Sequence, residues 1–223
     1  MDARLTGIDR RETLQYLAWR GGALPQTLEA DLDRCEGQIL AIARPRAVWH
    51  VFPLTPDGTL EGTRFRPEGE DIRRHLADCD QVILMAATLG AEVEALIRRT
   101  QPRSMGDAMI LDAAASAAVE NVCENLCADL AAAFAPRFLT DRFSPGYGDL
   151  PLHHQRDFSE LLDMSRRIGV SLTPSGLMLP QKSVTALIGV SDRPQPRRSR
   201  SCADCALSEH CSYRREGSHC GKA

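Results

Sequence analysis

The chain has 223 residues, a net charge of -3, and hydrophobic and charged fractions of 43% and 26%. These values are typical of globular proteins and exclude a wholly disordered chain, and the small net charge gives no general case for nucleic-acid binding. No run approaches the roughly 20 apolar residues of a membrane-spanning helix, and the charged N-terminus lacks the apolar core of a signal peptide. We therefore expect a cytoplasmic protein.

The first quarter of the chain predicts two helices followed by β-structure. Asp9 and Glu12 have the spacing of a capping box, which predicts a short helix that begins there. Apolar residues at helical spacing predict a second helix over residues 26–43. Residues 47–54 are rich in β-formers, and a Pro-Asp-Gly turn signal connects them to residues 59–65. The sequence therefore predicts a β-hairpin at this point.

The middle of the chain predicts four helices and one buried strand. Residues 69–78 and 91–99 predict helices on either side of the apolar run 81–85, which predicts the strand. The longest helical pattern covers residues 107–135, which are rich in alanine and contain neither glycine nor proline. A further helix is predicted over residues 153–167.

Two strands, over residues 170–173 and 183–190, complete the predicted elements. Helices and strands are mixed without the regular alternation of a parallel βαβ fold. The sequence therefore predicts an α+β fold with helices packed on a largely antiparallel sheet.

The composition changes near residue 191, which divides the chain into three predicted units. Residues 1–190 form the main domain, residues 191–201 are an Arg/Pro linker, and residues 202–223 form a cysteine-rich segment. From the linker onward there are seven Lys/Arg against four Asp/Glu, so this end is basic while the main domain is acidic. We expect the tail to be a separate unit.

Four cysteines in the tail have the spacing C-x2-C-x5-C-x8-C: Cys202, Cys205, Cys211 and Cys220. A CxxC turn brings two sulfurs to one ion, and two further thiolates complete a tetrahedral shell. The spacing therefore predicts a metal site in preference to an irregular tail with incidental cysteines. Zinc sites often have two separate CxxC knuckles, whereas CxxC-x5-C resembles some auxiliary [4Fe–4S] domains, so an iron–sulfur cluster is favoured and zinc is the alternative.

Residues 142–151 read RFSPGYGDLP and predict a fixed, unusual backbone path. Glycine permits a ligand to approach the main chain, and the Arg142 guanidinium matches the geometry of a carboxylate. The alternative is a structural turn with a surface arginine. On the predicted long helix, Glu120 shares a stripe with Cys123 and Cys127, where small neighbours leave room for a ligand ammonium group. A solvated glutamate is the alternative there, and the two cysteines are expected to be buried.

Several sequence motifs that mark known classes of enzyme and cofactor-binding domain are absent. The sequence contains no GxGxxG, no P-loop, no G-x-S-x-G, no H-E-x-x-H, and no D-x-H-x-x-G of the kind found in cobalamin-binding domains. His153 and His154 stand at a predicted helix start, and we expect both at the surface.

These motifs together resemble the activation domain of cobalamin-dependent methionine synthase, which binds S-adenosylmethionine. The similarity is carried by R-F-S-P-G-Y at 142–147, G-V-S-L-T at 169–173, and M-L-P-x-x-S-V at 178–184, within a region of about 106–190. The opening I-D-R-R-E-x-L-Q-Y-L at 8–17 is similar to the short members of the family that occur as separate subunits.

The resemblance implies a binding site for S-adenosylmethionine in which Arg142 pairs with the ligand carboxylate. Glu120 matches the acidic residue on the preceding helix, and Ser144 a residue whose backbone contacts the ligand. We expect Arg142 and Glu120 to hold opposite ends of the amino-acid moiety. The implied site comprises Glu120, Arg142, Ser144, Pro145, Gly146 and Tyr147. The aromatic pair that large members place after the last hairpin has no counterpart in this sequence.

In this family the domain is a methyltransferase-type subunit that reactivates methionine synthase. When cobalt oxidises to cob(II)alamin, a flavodoxin or ferredoxin supplies one electron and S-adenosylmethionine supplies the methyl group. The resemblance therefore implies a partner that carries the corrinoid, and the tail cluster is a candidate electron relay. Two other functions stay open: reactivation of a different corrinoid methyltransferase, and a zinc-stabilised module that binds nucleic acid through the basic linker.

Overall fold

The computed structural model of the protein describes residues 3–19 and 21–194, and its centre is a four-stranded antiparallel sheet. The strand order is β1-β2-β6-β3. The strands are β1 (Arg46–Pro53), β2 (Gln81–Thr88), β3 (Phe138–Leu139) and β6 (Ser183–Ser191), and a separate ribbon pairs β4 (Ser171–Leu172) with β5 (Met178–Leu179). The predicted α+β fold with a largely antiparallel sheet is confirmed.

The two central strands are buried on both sides. Every residue of β2 after Gln81 is buried, as are eight of the nine residues of β6. Neighbouring side chains alternate between the two sides: Ile83 belongs to one hydrophobic core and Leu84 to the other. This explains the apolar run in the sequence, because a strand covered on both faces has no polar side.

One side of the sheet, which we call the helical face, is covered by four helices. They are α1 (Arg10–Tyr16), α2 (Gln26–Ile42), α4 (Ala91–Thr100) and α5 (Met105–Phe134). Among them, α1 and α5 have local side-chain caps. The Asp9 carboxylate accepts from the Glu12 amide at 3.1 Å, and the Ser104 hydroxyl accepts from the Asp107 amide at 3.2 Å. Six of the thirteen buried residues of α5 are alanines, which let this helix lie close against its neighbours.

The other side, which we call the loop face, is built from short elements around buried Phe158. They are α3 (Glu70–His75), α6 (Gln155–Leu161) and α7 (Met164–Ile168), with a 3-10 turn at Leu152–His154. The single helix predicted over 153–167 is therefore wrong. The helical conformation is interrupted at Asp163, which has a left-handed backbone with φ of 48° and separates α6 from α7.

The predicted hairpin is confirmed only at its turn, and its second strand does not form. β1 pairs with β2 instead, with Trp49 opposite Met85, and the 59–65 segment contributes only a single bridge between Leu60 and Leu54. The reason is that this segment folds back on itself: the Leu60 amide donates to the Phe65 carbonyl at 2.9 Å, and both side chains are buried in the loop-face core.

The predicted linker and tail fall almost wholly outside the described residues. β6 extends to Ser191 and the description ends at residue 194, so the four tail cysteines are not among the residues described. In the ranges that the structure covers, no helix has the length and apolarity needed to cross a bilayer.

Candidate functional site

The candidate site lies along α5, where three polar residues spaced four apart form one stripe. These residues are Asp112, Ser116 and Glu120, and we call them the polar stripe. Two cations from other elements contact it, Lys182 just before β6 and Arg142 in the segment after β3. The stripe therefore faces a row of two positive charges at the edge of the sheet.

Arg142 and Glu120 form a direct ion pair. The Arg142 Nη2 donates to Glu120 Oε2 at 2.7 Å, and the side chains are 19% and 27% exposed. The expectation that they hold opposite ends of one amino-acid moiety differs from this arrangement, since a 2.7 Å contact leaves no space between them. The contact uses one nitrogen of a guanidinium that carries five N–H donors, so the pair has further hydrogen-bonding capacity.

Burial and nearby charges determine the protonation of Arg142 and of the Cys123 thiol beside it. Burial opposes the charge on Arg142, but the charge and hydrogen bond of the neighbouring Glu120 carboxylate help to hold the pKa of Arg142 above its usual value. Burial also raises the pKa of Cys123 to about 12, so this thiol is neutral at pH 7. The Glu120 carboxylate is therefore the negative group beside Arg142. Cys123 is fully buried and Cys127 partly buried, as small helix residues packed against the cores.

Arg142 is held in place by its neighbour Phe143. Phe143 bridges to Leu187 of β6, with its amide donating at 2.9 Å and its carbonyl accepting at 2.8 Å. The Phe143 ring lies in the loop-face core, 5.2 Å from the His75 ring. Because side chains alternate in an extended segment, Arg142 points the other way, toward α5.

Lys182 is a charged group that the sequence analysis did not single out. Its Nζ lies 2.8 Å from Asp112 Oδ1 and 2.9 Å from Ser116 Oγ, and its side chain is only 13% exposed. The residue lies inside the motif M-L-P-x-x-S-V at 178–184, which the sequence analysis used only as evidence of resemblance. The sequence feature that could have identified Lys182 is the position of a lysine directly before a buried strand.

Residues 144–150, which we call the glycine loop, follow Phe143 and form a compact turn. The Gly146 amide donates to the Leu150 carbonyl at 2.8 Å, and the Tyr147 amide donates to the Ser144 carbonyl at 3.0 Å. Gly146 has φ of 87°, which a side chain rarely permits. Pro145 is buried, Ser144 is half-buried, and Tyr147 is 58% exposed. The loop thus presents an aromatic ring to solvent on a fixed backbone.

The glycine loop is tied to α3 by Asp149. Asp149 Oδ2 accepts from the Glu70 amide at 2.6 Å, and Oδ1 accepts from the Asp71 amide at 3.1 Å. Gly69, at the helix start, has no side chain to fill this role, and a Cβ there would collide with the Asp149 carboxylate. The cap of α3 is therefore supplied from 78 residues further along the chain.

The two histidines after the loop do not share one environment. His153 is exposed, as expected, but the expectation that His154 lies at the surface is wrong, because it is only 4% exposed. Its ring lies 5.0 Å from that of Phe65, and its Nδ1 is 2.9 Å from Asp157 Oδ2. The aromatic contact places this histidine against the loop-face core.

The chain matches one family model and is similar to solved structures of the same fold. The family model described as "Vitamin B12 dependent methionine synthase, activation domain" matches residues 79–196, a range that contains Glu120, Arg142 and the glycine loop. The crystal structure of the MetH reactivation domain bound to AdoHcy is similar with a TM-score of 0.58 at 17% identity, over 96% of this chain and 82% of that chain. No curated protein matches the sequence. At this identity the structural likeness establishes the fold.

Proposed function

The chain belongs to the family of the vitamin B12-dependent methionine synthase activation domain, and from that membership we propose that it binds S-adenosylmethionine to reactivate a corrinoid methyltransferase. The partner is a cobalamin-binding methionine synthase subunit. One feature of the sequence supports a methionine synthase system: the opening at 8–17 resembles that of the short members of the family.

The observation that carries the proposal is the Arg142–Glu120 pair beside the glycine loop. The amino-acid end of the ligand presents one carboxylate and one ammonium group, which are opposite in charge to Arg142 and Glu120, respectively. We propose that the ligand opens the 2.7 Å contact, so that Arg142 takes the carboxylate and Glu120 takes the ammonium group. One internal ion pair is then exchanged for two with the ligand.

The remaining residues of the proposed site lie in the glycine loop. Ser144, Pro145, Gly146 and Tyr147 form one rigid turn, held by main-chain hydrogen bonds of 2.8 and 3.0 Å. A rigid wall next to the anchored amino-acid end fixes the direction of the sulfonium methyl group. Positioning of this kind is the main contribution that this domain makes to methyl transfer, because the methyl group passes directly from the sulfonium to the partner's cobalt.

We extend the proposal to the tail, where Cys202, Cys205, Cys211 and Cys220 bind an iron–sulfur cluster that relays the electron from a flavodoxin or ferredoxin. The support is their spacing and the wide range of cluster potentials, about -700 to +450 mV. Such a relay operates in the cytoplasm. Anaerobic purification with metal analysis and visible spectroscopy tests it, and one zinc per chain without a visible chromophore would exclude the relay.

Replacing Arg142 tests the binding site. We expect R142A to weaken S-adenosylmethionine binding by about 1.5–3 kcal/mol in calorimetry, through loss of a charge-assisted contact. Methylthioadenosine lacks the amino-acid moiety, so its affinity should be the same for R142A and the wild type.

Arg137 provides the matched control. It is 23% exposed and paired with Asp80 and Asp192, away from the polar stripe, so R137A should leave S-adenosylmethionine affinity unchanged. Equal affinities for the wild type and R142A would refute the role given to Arg142.

The identity of the partner needs a separate measurement. S-adenosylmethionine labelled in its methyl group, incubated with this chain, a reductant and a methionine synthase corrinoid subunit, should yield labelled methylcobalamin. Transfer only to the corrinoid protein of another methyltransferase would move the assignment to that system. No transfer to any corrinoid protein, despite binding of S-adenosylmethionine, would contradict reactivation.

A further inference from the structure

A cluster of three metal-ligating side chains lies on the loop face, apart from the Arg142–Glu120 pair. It consists of Glu68, His153 and His154, each of which offers one ligand atom within 4.8 Å of the other two. Glu68 lies just before α3, and the two histidines belong to the 3-10 turn that follows the glycine loop. The cluster therefore joins two segments that are distant in sequence.

His154 is oriented as metal-binding histidines are. The Glu68 amide donates to His154 Nε2 at 3.4 Å, so Nε2 is unprotonated and the ring proton is on Nδ1. That proton is donated to Asp157 Oδ2 at 2.9 Å. A carboxylate that accepts from one ring nitrogen fixes the tautomer and increases the basicity of the other nitrogen.

The lone pair of His154 Nε2 accepts only a weak hydrogen bond. A contact of 3.4 Å is at the long end for a hydrogen bond, so a cation at Nε2 replaces little. The Phe65 ring, 5.0 Å away, and the Asp157 contact keep the imidazole in place. His153 packs its ring 4.4 Å from that of His154, which brings the second imidazole to the same point.

We propose that Glu68, His153 and His154 bind a divalent metal ion of the zinc type, with Asp157 as the supporting carboxylate. Two imidazoles and one carboxylate, with a fourth position for water, are a common zinc ligand set. Zinc bonds of about 2.0–2.1 Å place tetrahedral ligands about 3.3 Å apart. His153 and Glu68 are exposed, so their side chains are free to close from within 4.8 Å to that spacing.

The ion would connect the segment that follows the glycine loop to the start of α3. Asp149 already ties the loop to the start of α3 through two amides. A metal bridge from Glu68 to the 3-10 turn adds a second tie between the same two segments. We therefore expect zinc to raise the melting temperature of the protein, because an ion that binds only the folded state stabilises it. This site does not depend on the binding of S-adenosylmethionine.

Zinc titration of the full-length protein, first freed of metal with a chelator, tests the site. We expect the wild type to bind one more equivalent of zinc than H153A, whatever the tail cysteines bind, and to show a larger rise in melting temperature. H50A is the control, because His50 is an exposed histidine on β1, and it should match the wild type. His154 is left intact, since its burial makes a folding defect the expected result of its removal.

Two further measurements identify the ligands. Cobalt bound at this site should lack the thiolate-to-cobalt charge-transfer band that cysteine ligands give, and D157N should lower the affinity 10- to 100-fold. Equal zinc stoichiometry and equal thermal shifts for the wild type and H153A would overturn the proposal. It would also be overturned if the equivalent lost in H153A carried the thiolate band.

Discussion

The two faces of the sheet are built by different rules. On the helical face, α5 runs for 30 residues, and its first turn is capped by Ser104, the residue directly before it. On the loop face, α3 has six residues, and its cap comes from Asp149. The start of α5 is therefore fixed by local sequence, whereas the start of α3 is fixed by a contact between distant segments.

The candidate functional site lies where these two faces meet. Arg142 points toward α5 of the helical face, and its neighbour Phe143 is buried in the loop-face core. The regular helix supplies Glu120 at a well-defined position, and the irregular segment supplies the guanidinium and the glycine loop. A regular helix and an irregular segment therefore each contribute one member of the charged pair.

The largest expected effect comes from truncating one side chain on each face. Ile83 and Leu84 are adjacent on β2, fully buried, and belong to opposite cores. I83A and L84A should each lower the free energy of unfolding by about 2–5 kcal/mol, from lost burial and the cavity left behind. Urea unfolding followed by fluorescence and circular dichroism should still give one transition. Two separate transitions in L84A alone would mean that the loop face unfolds by itself.

Removing a cap on each face has a smaller effect. D149A and S104A should each cost about 0.5–2 kcal/mol, because each leaves helix amides without an acceptor. The difference should appear in hydrogen exchange: S104A increases exchange in the first turn of α5 only, whereas D149A increases it in α3 and in the glycine loop together. D149N keeps an acceptor oxygen and is the control. Unchanged protection of the loop in D149A would contradict the long-range cap.

The smallest effect concerns the buried thiol beside Arg142. Burial raises the pKa of Cys123 from 9 in the unfolded chain to about 12 in the folded protein. Between these two pH values the thiol therefore keeps its proton in the folded protein and loses it in the unfolded chain. The stability due to the neutral thiol is complete below pH 9 and declines as the pH rises toward 12. The difference in unfolding free energy between wild type and C123A should therefore shrink by at most about 1 kcal/mol from pH 9 to 10.

A variant of similar size tests whether this pH dependence belongs to the thiol. V119A removes a buried but uncharged side chain from the same helix, so its difference from the wild type should not change with pH. If C123A and V119A showed the same pH dependence, the effect would not come from the thiol of Cys123.

The contrast between the faces also explains what the sequence could predict. The fold class and the helices of the helical face follow from periodicity and local caps such as Asp9 with Glu12. The predictions of a strand over 59–65 and of a single helix over 153–167 were wrong, because the burial of Leu60 and Phe65 and the left-handed turn at Asp163 depend on tertiary packing. No local pattern reports such packing.

For the candidate site, the sequence pointed to the residue types but not to their pairing. Arg142 and Glu120 stood out because a guanidinium next to two glycines and a carboxylate among small side chains are unusual. Their direct contact depends on the bridge between Phe143 and Leu187, which connects segments 44 residues apart. The contacts of Lys182 with the polar stripe and the burial of His154 also depend on segments that are distant in sequence.

The distant cap of α3 has a consequence for synthesis on the ribosome. The α3 segment leaves the exit tunnel well before Asp149 is translated, so during that interval its first amides have no side-chain acceptor from residue 149. A six-residue helix is too short to persist alone in water. Nascent chains halted before residue 149 should therefore contain a protease-sensitive segment around residues 69–76, and that sensitivity should disappear only once Asp149 and β6, which pairs with Phe143, have both emerged.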